Sequence, residues 1–301
     1  YHCARLSVDL IEKHTHIETR AICSSDFIVK NIIPKKQNTL YVFITQSGET
    51  SDTLKAVERV KQETNLPTLC ITNVEDSTIW KICDFKMLCY AGVEHGIAAT
   101  KSLSSQIMCL ILLTLKLAEN REDVTKYLAS LYKLSDKIEQ ILKKRNEIRN
   151  IANKISGENV VVITGEGLSY SLAKEGALKI KETSYKNISA AILGEFMHGH
   201  VAVLNNNKSL LIFISVDEPS ERSVSNLIKI KNDYNPKLAV IGINSSKLKP
   251  DFHINTDCEN EIQQLFANVL ILQLTALETA LVLKRNVDNP KGLHKVVIDN
   301  N

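Results

Sequence analysis

Residues 40–53 read LYVFITQSGETSDT. From Leu40 to Thr45 the residues are apolar, β-branched or aromatic without alternation, as a strand buried on both faces of a parallel sheet requires. The run passes straight into a polar turn with one glycine, Gly48, and a helical pattern begins near Thr50. In an open parallel sheet, the turn after a strand is where ligands bind. Thr45, Gln46, Ser47 and Thr50 place hydroxyls and an amide there, beside the N–H groups of a helix start, and the glycine lets backbone approach closely. That combination suits a phosphate. The same residues also serve a plain capped βα loop, with Ser47 or Thr50 as the N-cap. No GxxxxGK(S/T) pattern follows, so this is not a Walker loop, and a small sugar phosphate fits better than a nucleotide.

The rest of the chain is ordinary for a soluble globular protein: 301 residues, 44% hydrophobic, 24% charged, net charge +3. No basic block points to nucleic acid. The apolar run at 107–115 is too short to span a bilayer and ends at Lys116. The seven cysteines form no CxxC pair and sit mostly inside apolar runs, so reduced, buried thiols in a cytoplasmic protein are expected, with no metal site. The chain opens on Tyr1, with no turn or cap before a helical pattern, and a segment upstream is expected.

Working outward, the pattern predicts a helix over 1–13, a strand over 14–22, the strand at 40–45 and a helix over 53–64. A strand at 68–72, a short helix at 76–83, a short strand at 85–90 and a long apolar helix over 101–117 follow. Lys- and Glu-rich helices run over about 122–151, and their charged portion LKKRNEIRN marks a connector. Beyond it come a strand at 159–164, a helix over 171–183, a loop at 190–199, a strand at 210–215, a helix over 224–231, a strand at 237–243 and a long apolar helix over 261–282. The expected division is 1–130 as a first domain, 131–150 as connector, 151–285 as a second domain and 286–301 as a tail.

The second half repeats the first. LLIFISVDEPSERSVSNLIKIK, from Leu210, follows the plan of LYVFITQSGETSDTLKAVERVK, from Leu40, at an offset of 170 residues. Ile44 and Ile71 stand 27 positions apart, as do Ile214 and Ile241, and an Asp-Phe pair recurs at 84–85 and 251–252. Two matching βα-rich halves predict an α/β fold of two tandem doubly wound parallel sheets flanked by helices. Only the first copy keeps a phosphate-type loop, since Asp217 and Glu218 in the second would repel an anion.

Other residues carry chemical potential. Glu175, Lys179 and Glu182, at spacings of four and three, share one helix face. They read as a solvated salt-bridge stripe or, in the first turns of a helix that follows a strand and a glycine turn, as an acid–base set able to move protons between sugar carbons. His198 lies in the polar loop GEFMHGH. Lys295 in the tail is a surface charge, or, if covered, a Schiff-base nucleophile. Glu94 in AGVEHGIAATK either bonds sugar hydroxyls or caps the helix at Lys101.

Together TQSGETSDT, AGVEHGIAATKS, GLSYSLAKEGALKIKETSY, GEFMHGH and PKGLHKV resemble the sugar isomerase (SIS) domains, in particular the isomerase half of the glutamine–fructose-6-phosphate aminotransferases, over nearly the whole chain. The resemblance implies that Thr45, Gln46, Ser47 and Thr50 hold a sugar phosphate and that backbone near Ile97 and the Glu94 side chain line the sugar. It implies that Glu182 shuttles a proton between C1 and C2 with Lys179 beside it and Glu175 on the same face. His198 would open the sugar ring from a partner subunit, implying a homodimer, and Lys295 would form an imine with the open-chain ketose. The implied reaction converts fructose 6-phosphate and ammonia to glucosamine 6-phosphate without metal or organic cofactor, and the ammonia-supplying glutaminase half is missing from this chain. Departures from the family pattern are SSDFIVK where an Arg-containing SEFRYR is usual, and His200 where a proline is usual. The GLHKV tail is also similar to that of stand-alone amino-sugar-phosphate deaminases. A deaminase or related isomerase, and a non-catalytic sugar-phosphate sensor, are therefore the alternatives to a synthase half.

Overall fold

The computed structural model describes residues 1–30, 33, 36–205 and 208–293. Two compact units form: one is built from Cys3–Glu119, the other from Asn120–Lys291, with His2 grouping with the latter.

The first unit runs α1 (His2–Thr15), α2 (Ser24–Val29), β1 (Tyr41–Ile44), α3 (Ser51–Glu63), β2 (Thr68–Thr72), α4 (Thr78–Ile82), β3 (Phe85–Leu88) and α5 (Lys101–Leu117). Its three strands are parallel, in the order β1-β2-β3. Every residue of β2 is buried, as its TLCIT sequence requires of a central strand. Ala56, Val57 and Val60 on one face of α3 pack with Phe43, Cys70 and Ile79 to make the core.

The second unit runs α6 (Arg121–Tyr132), α7 (Leu134–Lys143), α8 (Arg145–Gly157), β4 (Val160–Gly165), α9 (Leu168–Ser184), β5 (Ile188–Ile192), α10 (Leu193–Phe196), a 3-10 turn (His200–Leu204), β6 (Ser209–Ser215), α11 (Glu221–Tyr234), β7 (Lys237–Gly242), β8 (Phe252–Ile254) and α12 (Glu261–Val282). The sheet is wholly parallel, ordered β5-β4-β6-β7-β8. Residues 131–150 form helix and belong to this unit.

Among the described residues one helix, α12, is long and apolar enough to cross a membrane, but it lies largely buried against α8 and α9. Its polar groups explain how it is fixed there. Thr256 Oγ1 donates to Gln264 Oε1 at 2.5 Å, Gln264 Nε2 to Asn268 Oδ1 at 2.8 Å, and Asn268 Nδ2 to the Ser215 carbonyl at 2.9 Å. Glu278, with no exposed surface, accepts from Arg145 Nε at 2.5 Å and Arg149 Nε at 2.7 Å. Gly176 of α9 lets the helices approach: a Cβ there would sit 2.6 Å from Leu272 Cδ2. Buried polar groups satisfied in this way fix one register of helix on sheet.

The internal repeat is visible in three dimensions. Tyr41 pairs with Thr68 and Ile44 with Ile71 in one sheet; Leu211 pairs with Leu238 and Ile214 with Ile241 in the other. The strand registers are the same at the 170-residue offset. Asp84 Oδ2 accepts from the Thr68 N–H at 2.9 Å and Asp251 Oδ2 from the Leu238 N–H at 2.9 Å. Lys61 Nζ lies 2.7 Å from Asp84 and Lys231 Nζ 3.3 Å from Asp251. The recurring Asp-Phe pair is thus a latch that ties the end of the first helix to the start of the next strand in each copy.

Two expectations fail, and one strand was unforeseen. Residues 14–22 are not a strand: α1 continues to Thr15, His16 ends it in the left-handed conformation at φ 56°, and no ladder follows. Their counterpart in the second copy, at the 170-residue offset, is β5, which is an edge strand paired with β4. A strand needs a neighbour to bond. Conversely, 190–199, read as loop, begins inside β5 and continues into α10, because β4 offers ISAAI an edge that its weak strand propensity did not advertise. The short β8 was not expected at all.

Candidate functional site

In the first unit the loop after β1 is held from several sides. The Thr45 N–H continues the ladder to the Ile71 carbonyl at 3.1 Å, and Thr45 itself is buried. Thr45 Oγ1 lies 3.1 Å from Thr50 Oγ1 and accepts from the Gly48 N–H at 3.3 Å; the Glu49 N–H donates to Ser47 Oγ at 3.1 Å. The start of α4 clamps the outer side, with the Ile79 N–H on the Gly48 carbonyl at 3.2 Å and the Thr78 N–H on Glu49 Oε1 at 2.7 Å. Gly48 has φ +74°, and a Cβ there would lie 2.1 Å from Ser77 Oγ, so only glycine closes this turn. The Gln46 carbonyl accepts from the Asn73 N–H at 3.1 Å.

The two copies differ at the helix that follows. Thr50 occupies the N-cap position of α3, yet its side chain makes no capping bond, its hydroxyl being turned to Thr45. Ser220, 170 residues on, caps α11 by accepting from the Ser223 N–H at 3.1 Å. The helix start in the second copy is closed by the protein's own serine. In the first, the N-cap side chain makes no such bond.

The 91–100 loop lies at the end of β3. Glu94 is buried, and its Oε1 accepts from the Thr100 N–H at 2.8 Å and the Lys101 N–H at 2.9 Å, while Oε2 accepts from Ser102 Oγ. Burial alone pushes its carboxyl up, but these donors hold it below the ordinary value. Of its two expected roles, Glu94 is seen in the helix-capping one. Ile97 is half-buried in the same loop.

In the second unit α9 carries the charged set. Lys179 is 5% exposed and Glu175 6%. Lys179 Nζ lies 2.7 Å from Glu182 Oε2 and 3.5 Å from Glu175 Oε1, and His2 Nδ1 donates to Glu175 Oε2 at 2.7 Å. Burial depresses an ammonium, yet the two carboxylates hold Lys179 above its ordinary value. Burial likewise pushes the Glu175 carboxyl up, while His2 and Lys179 bring it below its ordinary value. The solvated-stripe reading therefore does not describe this face. The expected placement in the first turns of the helix is also corrected: α9 starts at Leu168, and Glu182 stands two residues before its end at Ser184.

His198 is exposed, in the turn after α10, with its N–H on the Glu195 carbonyl at 2.9 Å. Lys295 lies outside the described residues. Sequence reasoning missed His2, Ser77 and Asn73. Asn73 was findable, because it directly follows the carboxyl end of β2, where ligand loops of parallel sheets arise. Among the described residues no group of His, Cys, Asp and Glu side chains could hold a metal ion. The seven cysteines form no disulfide, and five are buried; Cys23 is exposed.

Comparison with known proteins agrees with this layout. A family model of the SIS domain matches residues 26–116 and 154–283. The glutamine–fructose-6-phosphate aminotransferase (isomerizing) of Methanosarcina mazei is 33% identical over 304 residues, covering 99% of this chain and 49% of that protein. That of Helicobacter pylori is 31% identical, over 99% of this chain and 50% of its own length. The chain thus spans about half the length of the curated relatives it matches. Among solved structures, the C-terminal domain of glucosamine-fructose-6-phosphate aminotransferase from Francisella tularensis aligns with a TM-score of 0.88 at 26% identity, over 96% of this chain and 83% of that one. A glucosamine-6-phosphate deaminase from Thermotoga maritima shares the fold, at a TM-score of 0.77 and 21% identity, over 99% and 87% of the two chains.

Proposed function

The chain belongs to the SIS domain family, and from that premise we propose that it is the isomerase half of an enzyme making glucosamine 6-phosphate from fructose 6-phosphate and ammonia. The loop of Thr45, Gln46, Ser47 and Thr50 takes the phosphate, helped by the uncapped start of α3. Backbone at Ile97 lines the sugar, and Glu94 keeps that loop in shape by capping α5. His198, from a second copy in a homodimer, opens the ring, and Lys295 holds the open-chain ketose as an imine. That imine forms as the C2 oxygen leaves as water, and ammonia, from the glutaminase half that the family resemblance implies, then displaces the Lys295 amine from C2. Glu182 then takes a proton from C1 and returns one to C2. Lys179 donates to Glu182 Oε2 and so fixes where that carboxylate points. The enzyme is read as cytoplasmic and in need of no metal or organic cofactor.

The observation that carries this reading is the buried ammonium of Lys179 between two carboxylates on α9. Few structural reasons justify the desolvation of such a set, and functional sites are where it recurs. The test is to incubate the chain with fructose 6-phosphate plus ammonium, and separately with glucosamine 6-phosphate, following sugar and ammonia. Amino sugar formation, or fructose/glucose 6-phosphate interconversion without amine, supports the reading, and Lys179→Met should then cut turnover by about 10²-fold or more while phosphate binding persists. Ammonia release only would make it a deaminase. Binding without turnover in either direction would leave a sensor and overturn the proposal.

A further inference from the structure

Asn73 stands between the two loops of the first unit that the proposed function assigns to substrate. Its main-chain N–H donates to the Gln46 carbonyl at 3.1 Å, inside the phosphate-type loop. Its side chain faces the other way: Oδ1 accepts from the Ala91 N–H at 2.8 Å, and Nδ2 donates to the Gly92 carbonyl at 2.8 Å. One residue therefore bonds both loops, through three short contacts, with main chain on one side and side chain on the other. The loop from Ala91 to Thr100 is irregular, and while Glu94 bonds its far end to the start of α5, the bidentate amide holds its near end relative to the turn at Gly48.

The internal repeat supplies the control. At the 170-residue offset Asn73 corresponds to Ile243, which has no side-chain donor or acceptor, and Gln46 to Val216. The tether is absent from the copy whose loop carries Asp217 and Glu218 and whose following helix is capped by Ser220. It is present in the copy whose helix start lacks a side-chain cap. A purely structural tie would be as useful in either copy, because strand register and Asp latch are shared by both.

We infer that Asn73 is a positioning residue that sets the spacing between the phosphate cradle and the sugar-lining loop, and so selects a phosphorylated sugar over a bare phosphate. The inference rests on the sugar-phosphate reading above. Substitution leaves the main-chain bond to Gln46 in place and removes only the bonds to Ala91 and Gly92. The cradle therefore survives and its distance to the sugar loop does not.

The test measures binding of inorganic phosphate and of fructose 6-phosphate by calorimetry, for the whole chain and for Asn73→Ala and Asn73→Asp. Asn73→Ala should weaken fructose 6-phosphate by about tenfold and inorganic phosphate by less than about twofold. Asn73→Asp keeps the acceptor for Ala91 but not the donor to Gly92, and should fall between; it carries the test if the alanine variant does not fold. In turnover the same variants should raise KM with kcat little changed. Equal loss of both ligands, or loss of neither, overturns the positioning role while leaving the sugar-phosphate reading intact. An unsubstituted chain that binds neither ligand overturns the reading of the site, and the role of Asn73 with it.

Discussion

Lys179 and Glu175 respond to pH in opposite directions, and their pairing makes the α9 cluster a stability element as well as a chemical one. The Glu175 carboxyl is held below 4.5, so its stabilisation is fully present above that value and is lost as pH falls through the lower folded value. The Lys179 ammonium is held above 10.5, so its contribution is present below that value and is lost as pH rises through the higher folded one. Between these limits the cluster contributes fully. Glu175→Gln should cost about 3–5 kcal/mol near neutral pH, because it leaves Lys179 buried with one charged partner. Urea unfolding of both proteins as a function of pH checks this: the advantage of the unsubstituted chain should shrink below pH 4.5, and an advantage that persists into acid would show that the stabilisation is not ionic.

The Asp-Phe latches make the two copies directly comparable as elements. In the first, the Lys61 ammonium and two donors from Thr68 hold Asp84 at about 2. In the second, Asp251 is also held below its ordinary value by the Leu238 N–H and two lysines, against a burial that pushes it up. Each aspartate ties a helix end, a strand start and the next strand together, so Asp84→Ala and Asp251→Ala should each cost about 1–2 kcal/mol, a figure reduced by partial exposure to solvent. Thermal unfolding of the two variants should give like losses, and a latch needed in one copy only would break the equivalence. Elements of this kind were partly legible in the sequence. β2, α5 and α12 could be read residue by residue, because long apolar or strictly periodic runs leave one solution. The short strands β5 and β8 could not, since their pairing comes from neighbours far along the chain. At the candidate site the motifs name residues but not their contacts. That His2 bonds Glu175 and that Asn73 joins two loops are facts of tertiary contact, invisible to spacing alone.

At the scale of the whole molecule, duplication followed by divergence is written in one pair of N-caps. Ser220→Ala removes a capping bond and should destabilise by about 1 kcal/mol with no effect on ligand. Thr50→Ala removes no capping bond and should cost less stability, yet it should weaken phosphate binding. Chemical denaturation and phosphate titration of the pair would separate the roles, and matching behaviour would mean that the copies had not diverged. The buried placement of α12 has a consequence for how the protein is made. Its contacts reach back to Thr183, 93 residues earlier than Ala276, and to Arg145, 133 residues earlier than Glu278. During synthesis, α8 and α9 leave the ribosome long before the helix that covers them. The nascent second unit therefore waits with an open apolar groove until α12 emerges to cover it, and that interval is when non-native contacts compete.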